Sequence, residues 1–511
     1  MRLSNEKKLF LTEAKTIAFN GLKQVISDTY AVELFFLPWF LNRLNNDPVN
    51  IAGNTLVLNF LNPLLIPAIS PLFNIPFEFS KLFEIVNEKK TTKEEKKRAI
   101  NEVQVLFRSS IYHTIFLATP ITIFPMIFSK SVLVNVFYQD PEISAITQAI
   151  LRKLCFFVIP TLLYINASQF ILGTDKVNIL LAGSVILAST LLLTEAMCFG
   201  HAPFQKSGVE GASLAYFFGA AITAIIYSAH IFLSHDFKQL KLFQSLFRPL
   251  KGSVDEFGCF LKKGLICTAQ VASDMAFAFL LNAMSIYFGV QAQAAFGLLS
   301  QCMWVNSIVS VQMGMAAGTQ LGRAIENPEK KLFLNVVGAA GMMVSAIAGS
   351  VIPALLVRFP NFAIQLLGND DAEVAQLVGR VMLPFAIGSS LDSACFSVML
   401  QSWALNDLLG STLARMLGLL IGFVAAVTFA FATPLGLEGL SSGSPVAMLA
   451  SLLFLMNRWG KGIENKMQEP ISIADNIASF HHVIEMGPID DSKMVIDGRE
   501  AQENDHSIIP L

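Results

Sequence analysis

Charge is what this chain has least of. Only 14% of its 511 residues are Asp, Glu, Lys or Arg, while 53% are hydrophobic. Soluble domains carry about 25% charged residues, so most of this chain cannot face water. A formal net charge of -2 and the lack of any basic motif leave no case for a nucleic-acid partner. Cysteine is scarce too: Cys155, Cys198, Cys259, Cys267, Cys302 and Cys395 are scattered, with no C-x-x-C pair. They read as small buried hydrophobes rather than a redox or metal site. No short apolar core with a small-residue cleavage site follows the charged stretch Met1 to Lys8, so the first hydrophobic segments are expected to be retained. His481-His482, the one adjacent histidine pair, reads as solvated rather than metal-ligating.

What is abundant is apolar sequence in runs long enough to cross a bilayer as helices. Twelve such runs are read at 11–37, 51–73, 111–128, 154–172, 177–199, 211–233, 264–288, 294–321, 334–357, 377–400, 408–432 and 439–456. The chain is therefore expected to be an all-α integral membrane protein. Lysine and arginine set its topology. The connection after the second span carries Lys81, Lys89, Lys90, Lys93, Lys96, Lys97 and Arg98. The one after the sixth carries Lys238, Lys241, Arg248, Lys251, Lys262 and Lys263. Alternate connections are nearly bare, with Arg43, Lys130, Lys206 and Arg358. By the positive-inside rule the even-numbered connections and both termini are cytoplasmic, in a cell (inner or plasma) membrane.

The chain also repeats itself. Gln24-Val25-Ile26-Ser27-Asp28 returns as Gln270-Val271-Ala272-Ser273-Asp274, and Gly208-Val209-Glu210-Gly211 as Gly436-Leu437-Glu438-Gly439. Gln169 and Asp175 return at the same separation as Gln401 and Asp407. Two six-span halves, 1–240 and 264–459, are thus expected to enter the membrane in one orientation, joined by a connection at 241–263. A polar cytoplasmic tail at 460–511 follows. Parallel repeats of this sort are a recurrent transporter plan.

Acids inside apolar spans are costly and mark functional sites by default. Asp28 and Glu195 are placed at similar height in the first and fifth spans, by counting about 1.5 Å per residue. At one level they could share a proton or a small cation; otherwise Asp28 pairs with Lys23 and Glu195 sits at the interface. Asp274 lies near the middle of the seventh span and Asp392 within the tenth, neither with a Lys or Arg within a helical turn. An acid at such depth must be neutral, touch water or meet a cation. Gln24, Gln270, Asn282, Gln301, Asn306 and Gln312 are candidates to line a substrate cavity, with helix-to-helix hydrogen bonding as the alternative. Pro63, Pro67 and Pro71 share one face of the second span, as a moving gate or a static bend.

The stretch Gln291 to Glu326, QAQAAFGLLSQCMWVNSIVSVQMGMAAGTQLGRAIE, resembles the eighth helix of the multidrug and toxic compound extrusion (MATE) family of secondary transporters. Phe137 to Ile143 is similar to that family's external Gln-Asp-Pro-Glu stretch, and Gly208 to Ala215 to the opening of its sixth helix. The resemblance covers about 11 to 459 and implies a MATE-like fold: twelve transmembrane helices in two parallel-repeat six-helix lobes. It implies cation coupling through Asp28, with Glu195 as its partner acid, and through Asp274 and Asp392 in one branch of the family. Leu191 and Tyr216 stand where the family often has Asn and Thr, a loss that would weaken a Na⁺ site more than a H⁺ site. The helix-seven proline common in the family is replaced near Cys267.

Together these readings describe a cation-coupled antiporter, H⁺ favoured over Na⁺, that exports amphipathic cationic organic compounds by alternating access. It is expected to be a monomer in contact with membrane lipid, not an enzyme, with no catalytic residue, bound metal or cofactor beyond the transported H⁺ or Na⁺. A flippase for a lipid-linked precursor is the alternative. It would need an interior cation for phosphate, for which Lys23 is the one candidate seen. A non-transporting membrane protein whose tail recruits partners would leave the repeated acids unexplained. Family resemblance favours Asp28 as the coupling acid; the missing counter-charge favours Asp274.

Overall fold

The computed structural model describes residues 2–27, 57, 61, 64–65, 67–88, 91–136, 138, 140–174, 178–247, 253–359 and 372–468. Among them most are helical and none is in a strand, and ten helices are long and apolar enough to cross a membrane. These correspond to the third to twelfth expected spans. Asp28, the adjoining end of the first span, Pro63, Asp175 and the whole tail from 469 lie outside the described residues.

The long helices are α1 (Arg2–Ser27), α2 (Ile75–Asn87), α3 (Lys93–Asn135), α4 (Pro141–Leu154), α5 (Val158–Leu172), α6 (Asn178–Phe199) and α7 (Gly208–Leu233). They continue with α8 (Ser253–Ser285), α9 (Val290–Glu326), α10 (Leu334–Arg358), α11 (Ala372–Ala404), α12 (Leu408–Phe431) and α13 (Leu437–Gln468). Several outrun their apolar cores. The third span begins at Lys93 because Thr92 and Glu95 form a capping box: the Thr92 hydroxyl accepts from the Glu95 N–H at 3.3 Å, and the Glu95 carboxylate from the Thr92 N–H at 2.9 Å. Two orphan donors at the helix start are thereby satisfied. Asp140, within the stretch that resembles the family's external motif, caps α4, accepting from Glu142 N–H at 2.7 Å with Pro141 in the first turn. The last helix runs on to Gln468, past the expected end of the twelfth span.

Small residues set how the helices meet. Along α12 and α13, Gly418 lies against Ser451, Gly422 against Ala447, and Ala426 against Gly443, an antiparallel seam with no room for a Cβ at the glycines. Along α9 and α11 the order is parallel. Asn306 meets Ser389, Ser310 meets Ser393, Gly314 meets Phe396, and Gly318 meets the Leu400 carbonyl. Spans eight and ten therefore run the same way, as two even-numbered spans must. Close backbone approach of this kind substitutes for the hydrophobic drive that lipid removes.

The helices before and after 247 also meet each other, near the face that bears the lysine-rich connections. Pro71, in a 3₁₀ segment Ser70–Asn74 that leads into α2, presses on Gly264 of α8. Phe77 packs on Gly318 and edge-on to Trp403 at 6.2 Å. Around them stand the pair Glu78–Lys263, the Lys81 to Asn406 hydrogen bond of 2.8 Å, and the Glu13 to Lys330 ion pair of 2.8 Å.

Candidate functional site

The polar centre of the second half is built by three helices, two of them consecutive and the third distant in sequence. Asp274 comes from α8, Asp392 from α11 and Arg415 from α12. The guanidinium lies between the acids: Nε donates to Asp274 Oδ1 at 3.0 Å and Nη2 to Asp392 Oδ1 at 2.5 Å. Its third nitrogen, Nη1, meets Met448 Sδ at 3.0 Å, and the group lies over the Phe396 ring at 5.2 Å from the centroid. Arg415 is only 2% exposed, whereas the Asp274 and Asp392 side chains are 22% and 19% exposed. The cation is sealed in; each acid keeps an open side. The remaining oxygen of Asp274 accepts from Gln270 Nε2 at 2.9 Å, one helical turn back along α8. Gln270 is itself buried, and its amide oxygen has no hydrogen-bond partner among the described residues.

This overturns the reading that Asp274 and Asp392 lack a counter-charge and that Lys23 is the one interior cation. The expectation weighed charges along each helix, while the partner stands on a neighbouring one. A signal was there: an arginine inside an otherwise apolar run, where insertion costs about 2.5–3.5 kcal/mol. Lys23 is engaged elsewhere, donating to Asn178 at 2.5 Å with its ammonium 3.8 Å from the Phe19 ring centroid.

Of the other candidates, Glu195 lies near the far end of α6, with His201 at 3.9 Å. The described part of α1 ends at Ser27 and reaches α6 through Lys23, which donates to Asn178, the first residue of that helix. Asn306 is fully buried and donates to Ser389 at 2.7 Å across the α9–α11 seam, which is helix-to-helix hydrogen bonding. Gln24 is buried, Asn282 and Gln312 are half-buried. Asn282 has an amide oxygen with no partner among the described residues. The Gln301 side chain lies outside what is described.

Chemically, two acids around one guanidinium carry a net charge of -1 when both are ionised. A proton or another cation arriving at the acids would change which helix the guanidinium holds most firmly. Buried charges in a bundle interior are stable only while paired, so any such change is felt by all three helices.

The fold is that of solved MATE transporters. The chain superposes on an outward-facing multidrug resistance MATE family transporter of the MOP superfamily with a TM-score of 0.72 and 16% identity, covering 89% of this chain and 96% of that one. The eukaryotic MATE transporter AtDTX14 gives 0.71 and 14%, covering 91% and 100%. In sequence the chain is similar to the probable multidrug resistance protein NorM of Rhizobium meliloti (strain 1021), 21% identical over 332 residues, which are 62% of this chain and 68% of the relative. NorM of Agrobacterium fabrum is 20% identical over 352 residues, 67% and 74%. No family model matches the chain. The resemblance to MATE transporters is therefore borne out: the chain has the fold of those proteins, its described residues include ten helices long and apolar enough to cross a membrane, and the proteins it is similar to are transporters, not enzymes.

Proposed function

We propose that the chain is a cation-coupled antiporter, H⁺ favoured over Na⁺, that exports amphipathic cationic organic compounds by alternating access. The observation that carries this reading is the Asp274–Arg415–Asp392 network, in which two acids from separate spans are held by one buried cation. A structural bundle gains little from such a group, since well-packed apolar residues of similar volume are often as stabilising. The names of the relatives, multidrug resistance proteins, support export of organic compounds.

In this reading a cation taken up at the acids biases the outward- and inward-facing states, and substrate competes for the same cavity. Positive-inside placement of the lysine-rich connections puts that face and both termini in the cytoplasm. The contacts between halves at Pro71–Gly264, Glu78–Lys263 and Phe77–Trp403 then close the cytoplasmic side, which describes an outward-facing state. The protein works as a monomer in the cell membrane, with lipid around it and a small organic substrate inside. Asp28 remains the coupling candidate of the first half, on the family resemblance. The flippase alternative gains nothing from Arg415, because its charge is committed to two carboxylates and offers phosphate no free partner.

Proteoliposomes holding the full chain test the proposal, with an imposed pH or Na⁺ gradient driving uptake of a fluorescent organic cation. Asp274→Asn or Asp28→Asn is expected to abolish gradient-driven uptake. Intact transport in both variants would remove the coupling role.

A further inference from the structure

The buried guanidinium has a consequence for which ion the second half can accept. We infer that Arg415 is a selectivity-determining residue: it occupies the place between Asp274 and Asp392 that a metal cation would need, and so keeps Na⁺ off this pair while leaving it open to a proton. This deepens the reading of the chain as a cation-coupled transporter and rests on it.

The argument begins with ligand count. A hard cation binds through several oxygens at once, and in transporter interiors these come from acids and backbone carbonyls. Here Oδ1 of Asp274 and Oδ1 of Asp392 both point at guanidinium nitrogens, at 3.0 and 2.5 Å. The second oxygen of Asp274 is taken by Gln270 Nε2. A metal ion entering would have to displace a cation that is 2% exposed, backed by Phe396 and Met448 and tethered through its own backbone carbonyl to Ser451 Oγ at 3.3 Å. A proton needs one lone pair only. It can bond to either carboxylate on its open side while the other acid keeps hold of the guanidinium.

Charge points the same way. With Arg415 in place the two ionised acids leave -1, which one proton neutralises. Without it they leave -2, an attraction that favours a metal cation. Both carboxylates are then free to share a metal cation, and Gln270, one helical turn from Asp274, has an amide oxygen buried without a partner among the described residues that a turn of the amide would bring to it. The other groups around the network, Cys395, Met448 and Phe396, add no charge; the Cys395 thiol donates to the Met448 carbonyl at 3.1 Å.

The test measures ion binding by the purified full chain, without transport. Thermal unfolding is compared in NaCl and in choline chloride at equal ionic strength, alongside equilibrium binding of radiolabelled Na⁺. The wild-type protein is expected to show no Na⁺-specific stabilisation from Asp274 and Asp392. Arg415→Gln is expected to gain saturable Na⁺ binding and a Na⁺-specific rise in Tm of about 2–4 °C, both lost again when Asp392→Asn is added. Arg415→Lys keeps the charge on a shorter, single-point donor and is expected to show a smaller gain. Folded Arg415→Gln protein that binds no Na⁺ would overturn the inference. So would wild-type Na⁺ binding that Asp392→Asn removes, a result that stands even if the Arg415 variants fail to fold. Because no gradient is used, either outcome leaves the transport reading to be judged by its own assay.

Discussion

Gly208 and Gly436 hold the same left-handed backbone, with φ of +54° and +55°, and each opens the last helix of its half. Two residues on, Glu210 pairs with Lys153 at 2.9 Å and Glu438 with Arg380 at 2.7 Å. The rims of the two halves are copies. Their interiors are not. The offset that carries Gln169 onto Gln401 and Asp175 onto Asp407 also carries Pro160 onto Asp392 and Gly183 onto Arg415. Where the second half has an arginine, the first has a glycine with the Tyr227 ring laid against it, its hydroxyl donating to the Leu180 carbonyl at 3.0 Å. The described interior of the first half is knit by neutral groups: Asn166 donates to Thr114 at 2.9 Å and accepts from Ser110 at 3.2 Å. Among the described residues the frame that docks helix on helix is common to the two halves, and the buried ionic group lies in the second.

The largest effect should come from breaking that asymmetry at its centre. Arg415→Leu leaves Asp274 and Asp392 facing each other without a cation, and is expected to cost about 3–5 kcal/mol, read as a fall in Tm in detergent. Adding Asp274→Asn and Asp392→Asn should return much of the loss, since the uncompensated charge is then gone. On the neutral side, Gly183→Ala puts a methyl 1.9 Å from the Tyr227 hydroxyl oxygen, an overpacking expected to cost about 1–3 kcal/mol. If Arg415→Leu cost no more than Gly183→Ala, the contrast between halves would be one of packing alone. The smallest effects belong to the copied rims. Glu210→Gln and Glu438→Gln each remove a largely exposed ion pair, and each should cost at most about 1 kcal/mol, by similar amounts in the two halves. A much larger loss at Glu438 would show that the rims have diverged too.

The repeated Gly-x-Glu-Gly openings were legible in the chain because glycine and its neighbours act locally, through backbone conformation and helix start. Gln270 and Asp274 were both singled out, for separate roles; one helical turn apart, they prove to be one hydrogen-bonded unit. Asn306 was read as a cavity candidate or as a helix-to-helix contact, and the α9–α11 seam makes it the latter. Arg415, an arginine in an apolar run, is as anomalous as an aspartate, but its partners Asp274 and Asp392 stand on other helices, beyond what spacing along one helix reveals. The similar height assigned to Asp28 and Glu195 rested on counting from the start of an apolar run. Helix α1 begins before that run, at Arg2, and Asp28 lies outside the described residues.

By itself the sequence determined that this is a helical membrane protein with duplicated halves, and which carboxylates sit in its apolar spans. Those properties follow from run length, composition and repetition, which are local or additive along the chain. Only the tertiary structure decided that Asp274 and Asp392 share one buried cation. That partnership depends on how closely α8, α11 and α12 approach. Part of it is indirect: Gly418 and Gly422 seat α12 on Ser451 and Ala447 of α13, whose Met448 backs the guanidinium, a fit between surfaces that spacing along one helix does not encode.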